Sequence, residues 1–159
     1  MARYLIALGI LFFGCEINSK QIIKPEKFSY DIIRFNTVSK SLLNELKLNS
    51  TDHQTISNII QYWFDNRIKT DGFSGDLFIH VRSIKFDREK KQDYYKFSVS
   101  LILEFIEQKS PNNKKTYNIK SKEFGEINGS FSLKDIENLD INIMHKCFEN
   151  ISLKLKELN

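Results

Sequence analysis

Tyr94-Tyr95-Lys96-Phe97-Ser98-Val99-Ser100-Leu101-Ile102-Leu103-Glu104-Phe105 alternates apolar and polar side chains with a period of two. Successive side chains of a strand point to opposite faces, so this stretch predicts a long β-strand. Tyr95, Phe97, Val99, Leu101, Leu103 and Phe105 share one face; Tyr94, Lys96, Ser98, Ser100, Ile102 and Glu104 share the other. One apolar and one polar face predict a sheet covered on one side only.

The flanking segments extend the same pattern. Upstream, Leu77, Ile79 and Val81 alternate with Phe78, His80 and Arg82, and a phase change at Ser83-Ile84 brings in Ile84 and Phe86. Downstream, Ser110-Pro111-Asn112-Asn113 is a turn, and Tyr117 and Ile119 open a strand running to about Ile127. Short polar turns between consecutive strands predict antiparallel pairing. Further out, Thr51 and Gln54 form a capping box ahead of Ile56, Ile59, Ile60, Trp63, Phe64 and Ile68, the stripe of an amphipathic helix stopped by Asp71-Gly72 with Gly72 left-handed. Ser132-Leu133-Lys134-Asp135 opens a second helix whose stripe runs through Ile136, Ile143, Met144, Cys147, Phe148, Ile151, Leu155 and Leu158. Phe28, Tyr30 and Ile32 alternate and shift phase at Ile33 and Phe35, which predicts a first strand with a bulge. Residues 39–50 predict a connecting segment that covers the core. The order β-α-β-β-β-α predicts an α+β two-layer sandwich, with two helices on one face of a four-stranded, antiparallel-rich sheet.

The N-terminus carries a different signal. Met1-Ala2-Arg3 is a short positive start, Tyr4 to Phe13 is an apolar run, and Gly14-Cys15 closes it. That is the layout of a secretory signal peptide. A bilayer-spanning helix needs about 20 apolar residues and this run has about half that, so it predicts a cleaved segment. The expected organisation is residues 1–14 as signal, 15–27 as a lipidated Cys15 with a polar tether, and 28–159 as one α+β domain, a size within the usual range.

Composition narrows the partners. The formal net charge is +4 with 24 basic and 20 acidic side chains, mostly lysine among the basic ones. A mild excess of this kind is weak evidence for nucleic acid, and an exported chain argues against it. With Cys15 acylated, Cys147 is left without a disulfide partner and reads as a small buried apolar residue between Met144 and Phe148. His53, His80 and His145 stand at no metal-ligand spacing. The chain has six glycines and neither a phosphate loop nor a G-x-S-x-G elbow. Asp135 with Glu137, and Glu104 with Glu107, read as solvated faces. The expectation is a protein that is not an enzyme and takes no cofactor or metal. One constellation stands out: Phe78, His80, Arg82, Tyr94, Lys96, Lys120 and Lys122 fall on the polar face of the sheet and predict a basic, aromatic surface. Two other basic groups, Lys85, Arg88, Lys90 and Lys91 and then Lys109, Lys114 and Lys115, belong to hairpins at opposite ends.

The apolar run ending in Gly14-Cys15 resembles a bacterial lipoprotein signal, in which Cys15 becomes the acylated first residue. With the tether and the β-α-β-β-β-α order, the chain resembles small Gram-negative envelope lipoproteins: the lipopolysaccharide-assembly lipoprotein LptE, the YajG-like lipoproteins and the auxiliary lipoproteins of lipid-transport ABC systems. Tyr62-Trp63-Phe64-Asp65-Asn66-Arg67 followed by Gly72 and Gly75 is similar to the W-x-x-x-R…G stretch of an uncharacterised envelope family. The resemblance implies fatty acylation of Cys15, palmitate among the acyl groups, and attachment to the outer membrane facing the periplasm. It also implies a scaffolding or binding role in envelope assembly or lipid transport, with an envelope protein or an anionic lipid as partner. The alternative is a small secreted or anchored domain that binds a lipid or other apolar ligand. Cys15 is the one residue whose role carries over.

Overall fold

The computed structural model describes residues 31–43 and 50–158. The signal segment, Cys15, the tether and the Phe28 and Tyr30 positions lie outside the described residues, as do residues 44–49.

The alternating stretch forms the centre of the molecule. Strand β5 (Tyr94–Ser110) pairs antiparallel with β4 (Asp76–Lys90) on one side and β6 (Asn113–Asn128) on the other. At about 3.3 Å per residue, 17 residues make β5 about 55 Å long, well beyond a typical strand. Its Tyr95, Phe97, Val99, Leu101, Leu103 and Phe105 are all buried in the core. The predicted phase change is a β-bulge between Val81 and Ser83 that turns Ile84 back to the inner face. The fold class is as predicted: α+β, with a four-stranded sheet in the order β2-β4-β5-β6 and two helices, α1 (Ser50–Arg67) and α2 (Leu133–Leu158), packed on it.

Three local expectations are corrected. The fourth strand of the sheet is β2 (Ser39–Leu43), parallel to β4, and not the segment ending at Phe35. Ser39-Lys40-Ser41 carries no apolar alternation because an edge strand here has neither face fully buried. The expected first strand survives only as β1 (Ile33–Phe35), which pairs parallel with β3 (Ile68–Thr70) in a separate two-stranded sheet. Its Ile33 and Phe35 enter the core, and Phe35 stacks on Phe105 with ring centres 6.2 Å apart.

The end of α1 is the third correction. The helix stops at Arg67, and the chain then extends into β3 without a glycine cap. Lys40 Nζ, reaching across from β2, donates to the Phe64 carbonyl at 2.8 Å and the Ile68 carbonyl at 2.7 Å, over the Phe64 ring. Lys69 Nζ donates to the Asp65 carbonyl at 2.7 Å. Two ammonium groups thus satisfy the Phe64 and Asp65 carbonyls of the last turn, where the helix dipole favours positive charge. Burial holds the Lys40 pKa below its ordinary value, with repulsion from Lys69 adding to it. Left-handed backbone occurs at Gly75 and Gly129; Gly72 is needed for space instead, since a Cβ there would lie 2.4 Å from the Asn36 carbonyl carbon.

Helix α2 starts as expected. Ser132 Oγ and Asp135 form a reciprocal cap, Asp135 N donating to Ser132 Oγ and Ser132 N to Asp135 Oδ2 at 2.8 Å. The helix runs back antiparallel to β6: Arg88 and Tyr95 bond Asp140 near its start, Asn150 bonds Glu123, and Lys154 bonds the Lys120 carbonyl near its end. Gly125 lets it lie close, because a Cβ there would meet Ile143 and Leu139 side chains at 2.7 and 2.9 Å. The helices meet through Trp63, whose Nε1 donates to Ser152 Oγ at 3.0 Å and whose ring lies 5.2 Å from that of Phe148.

Candidate functional site

Both helices occupy the inner face, so the outer face of the sheet is the surface that the fold leaves open among the described residues. The pairing register lays it out in rows across β4, β5 and β6. From one end they are Phe78–Ile106–Thr116, His80–Glu104–Asn118, Ser83–Ile102–Lys120, Lys85–Ser100–Lys122, Asp87–Ser98–Phe124 and Glu89–Lys96–Glu126, with Tyr94–Asn128 closing the far end. Ile106 is buried yet stands apart from the core cluster, opposite Phe78 on this face.

The structure brings Phe78, His80, Arg82, Tyr94, Lys96, Lys120 and Lys122 onto one face, but does not make one basic patch of them. Phe78 and Tyr94 stand about 40 Å apart along the strands, twelve residues at about 3.3 Å each. Arg82 is neutralised by Glu104, to which its Nε donates at 3.0 Å. Lys96 lies between Glu89 and Glu126 and over the Phe124 ring at 5.4 Å. Tyr94 donates to Glu126 at 3.5 Å and lies under Lys91.

Positive charge is concentrated in the middle. The two rows Ser83–Ile102–Lys120 and Lys85–Ser100–Lys122 hold three lysines and no acid, and none of the three has an ion pair among the described residues. Adjacent strands lie about 4.8 Å apart and the two rows about 7 Å apart, so the Cα atoms fit within about 12 Å. Lys120 and Lys122, about 7 Å apart, lie within the screening length of about 8 Å and reinforce one another, and Lys85 lies just beyond it. Ser100 and Ile102 form the floor.

Lys85 is the residue that sequence reasoning missed. Grouping it with a hairpin cluster overlooks the phase change at Ser83-Ile84, which is itself the signal: a bulge that returns Ile84 inward sends Lys85 outward. Phe124, 62 % exposed, escapes notice because it lies opposite Ser98 in a strand whose register the sequence leaves open. Arg88, from the same hairpin cluster, belongs to the inner side instead, where it covers Phe86 and Phe97 and bonds Asp140. Glu107 is also inward, accepting from Tyr117 Oη at 2.6 Å, in place of the expected solvated position. Burial and the Glu107 carboxylate push the Tyr117 phenol well above its ordinary value.

The remaining titratable groups are structural. Cys147 is fully buried, and burial raises its thiol to about 11, the opposite of an activated nucleophile. His145 is 3 % exposed on the flank of α2 that also carries Ser152, and burial lowers its pKa to about 4. Among the described residues no group of three His, Cys, Asp or Glu side chains is placed to hold a metal ion, and no helix is long and apolar enough to cross a membrane.

No protein-family model matches the chain, and no curated protein matches it. Among solved structures it is similar to rare lipoprotein B from Shewanella oneidensis, at 8 % identity and a TM-score of 0.41 over 76 % of this chain and 92 % of the other. It is also similar to a minor lipoprotein from Acinetobacter baumannii, at 13 % identity and a TM-score of 0.39 over 75 % and 87 %.

Proposed function

We propose that this is a non-enzymatic lipoprotein of the Gram-negative envelope, anchored through Cys15 to the outer membrane and facing the periplasm, which holds an acidic surface of an envelope-assembly or lipid-transport protein on its open sheet face. The anchor is supported by the short apolar run ending in Gly14-Cys15. The observation that carries the holding role is the pair of acid-free rows with Lys85, Lys120 and Lys122 around Ser100 and Ile102. Such a patch steers an acidic partner and fixes its register, while the rows on either side, with Glu104 on one and Asp87 on the other, repel a partner docked out of place.

The test is photo-crosslinking in cells from a reporter at Ser100. The wild-type background should give a defined adduct, and a Lys85→Glu, Lys120→Glu, Lys122→Glu background should lose it. Lys90→Glu, a single reversal on an exposed site at the hairpin end, serves as the off-face control and should keep it. An adduct that survives the triple reversal would overturn the assignment of the partner to this face.

A further inference from the structure

A second surface lies at one end of the sheet. The loop between β3 and β4 presents Phe73 wholly to solvent, 100 % exposed, with Gly72 and Gly75 on either side. A fully exposed aromatic gains nothing from burial unless something else covers it. The loop sits against the β5–β6 hairpin: a Cβ on Gly75 would lie 2.7 Å from the Gln108 carbonyl oxygen and 2.9 Å from the Lys109 Cα. That hairpin carries Lys109, Lys114 and Lys115, all exposed and without an ion pair among the described residues. Of the nearby carboxylates, Asp71 is paired with Arg34, Asp76 accepts from Ser39, and Glu107, opposite Lys115 in the ladder, accepts from Tyr117.

The chain's entry point lies on the same half of the domain. Asp31 is ion-paired with Lys156 in the last turn of α2, and α2 runs antiparallel to β6, so its last turn lies toward the β5–β6 hairpin. About 15 residues separate Cys15 from Asp31, a reach of up to roughly 50 Å when extended, which lets this end rest on the surface that holds the anchor. An exposed aromatic beside a hairpin that carries three lysines matches the boundary between acyl chains and anionic headgroups, where rings insert and basic residues contribute electrostatically.

We propose that the Phe73 loop and the Lys109–Lys114–Lys115 hairpin dock on an anionic lipid bilayer, standing the sheet upright on the membrane so that its open face points sideways toward the partner. This rests on the anchored reading above. The docking fixes an orientation that acylation of Cys15 alone does not.

Tryptophan fluorescence tests it. Trp63 is the only tryptophan and is buried, so it gives a fixed background for Phe73→Trp. Membrane-extracted protein is reconstituted into vesicles of phosphatidylethanolamine with phosphatidylglycerol. Emission from the introduced indole should be blue-shifted, quenched by brominated lipid and shielded from iodide. Adding Lys109→Glu, Lys114→Glu and Lys115→Glu should weaken surface partitioning by at least about a hundredfold and return that indole to water. An acylated protein whose introduced indole stays open to iodide would overturn the docking while leaving the anchor standing. Quenching in a protein whose mass shows no acyl group would uphold the docking and overturn the anchor. Equal quenching in pure phosphatidylcholine vesicles would overturn the commitment to anionic lipid.

Discussion

His145 should make the domain acid-labile in a window set by its burial. The imidazole is 3 % exposed and burial lowers its pKa to about 4, whereas in the unfolded chain it titrates near 6.5. Between those values the unfolded state carries a proton that the folded state refuses, so stability falls as pH drops through about 6.5 and the loss is complete below about 4. At about 1.4 kcal/mol per pH unit the gap is worth about 3 kcal/mol, and partial solvation brings it to roughly 2 to 3 kcal/mol. His145→Gln removes the titration and leaves every carboxylate in place. Urea titrations of both proteins at pH 7 and pH 4 isolate the contribution: the wild type should lose roughly 2 to 3 kcal/mol more than the variant over that interval. A stability difference that is the same at both pH values would mean that the folded protein admits the imidazolium and that the buried flank of α2 is misread.

Two further sets of substitutions test the packing. Leu101→Ala, at the centre of β5 on the inner face, should cost about 2 to 5 kcal/mol, while Ser100→Ala on the outer face should change stability by less than about 0.5 kcal/mol; urea midpoints compare them. Gly72→Ala drives a methyl into the Asn36–Thr37 backbone and should cost well over about 2 kcal/mol, whereas Gly125→Ala meets only the tips of Ile143 and Leu139 and should cost about 1 kcal/mol by thermal melting.

What was legible in the sequence was whatever depended on local period. The inner face of β5, the bulge at Ser83, the turn at Ser110–Asn113 and the cap of α2 all follow from residues adjacent in the chain. What was hidden depended on distant partners. Strand β2 has no apolar alternation and is recognisable only by its ladder to β4. The end of α1 is satisfied by Lys40, which comes from before the helix and leaves no mark at its C-terminus. For the open face, parity places the predicted residues on one side, but only the register reveals that Arg82 pairs with Glu104 and Lys96 has Glu89 and Glu126 across the ladder, while Lys85, Lys120 and Lys122 have no acid in their own rows. Phe73 gives no signal at all, since a lone phenylalanine between glycines reads as an ordinary loop until its full exposure is seen.

Acylation of Cys15 is what would hold the domain permanently at a membrane. Intact-mass spectrometry of the protein extracted from membranes measures it directly. The expected product begins at Cys15 and carries fatty acyl groups, and Cys15→Ala should remove them and release the protein from the membrane fraction. A wild-type mass without acyl addition, or a Cys15→Ala protein that stays equally membrane-bound, would contradict the account.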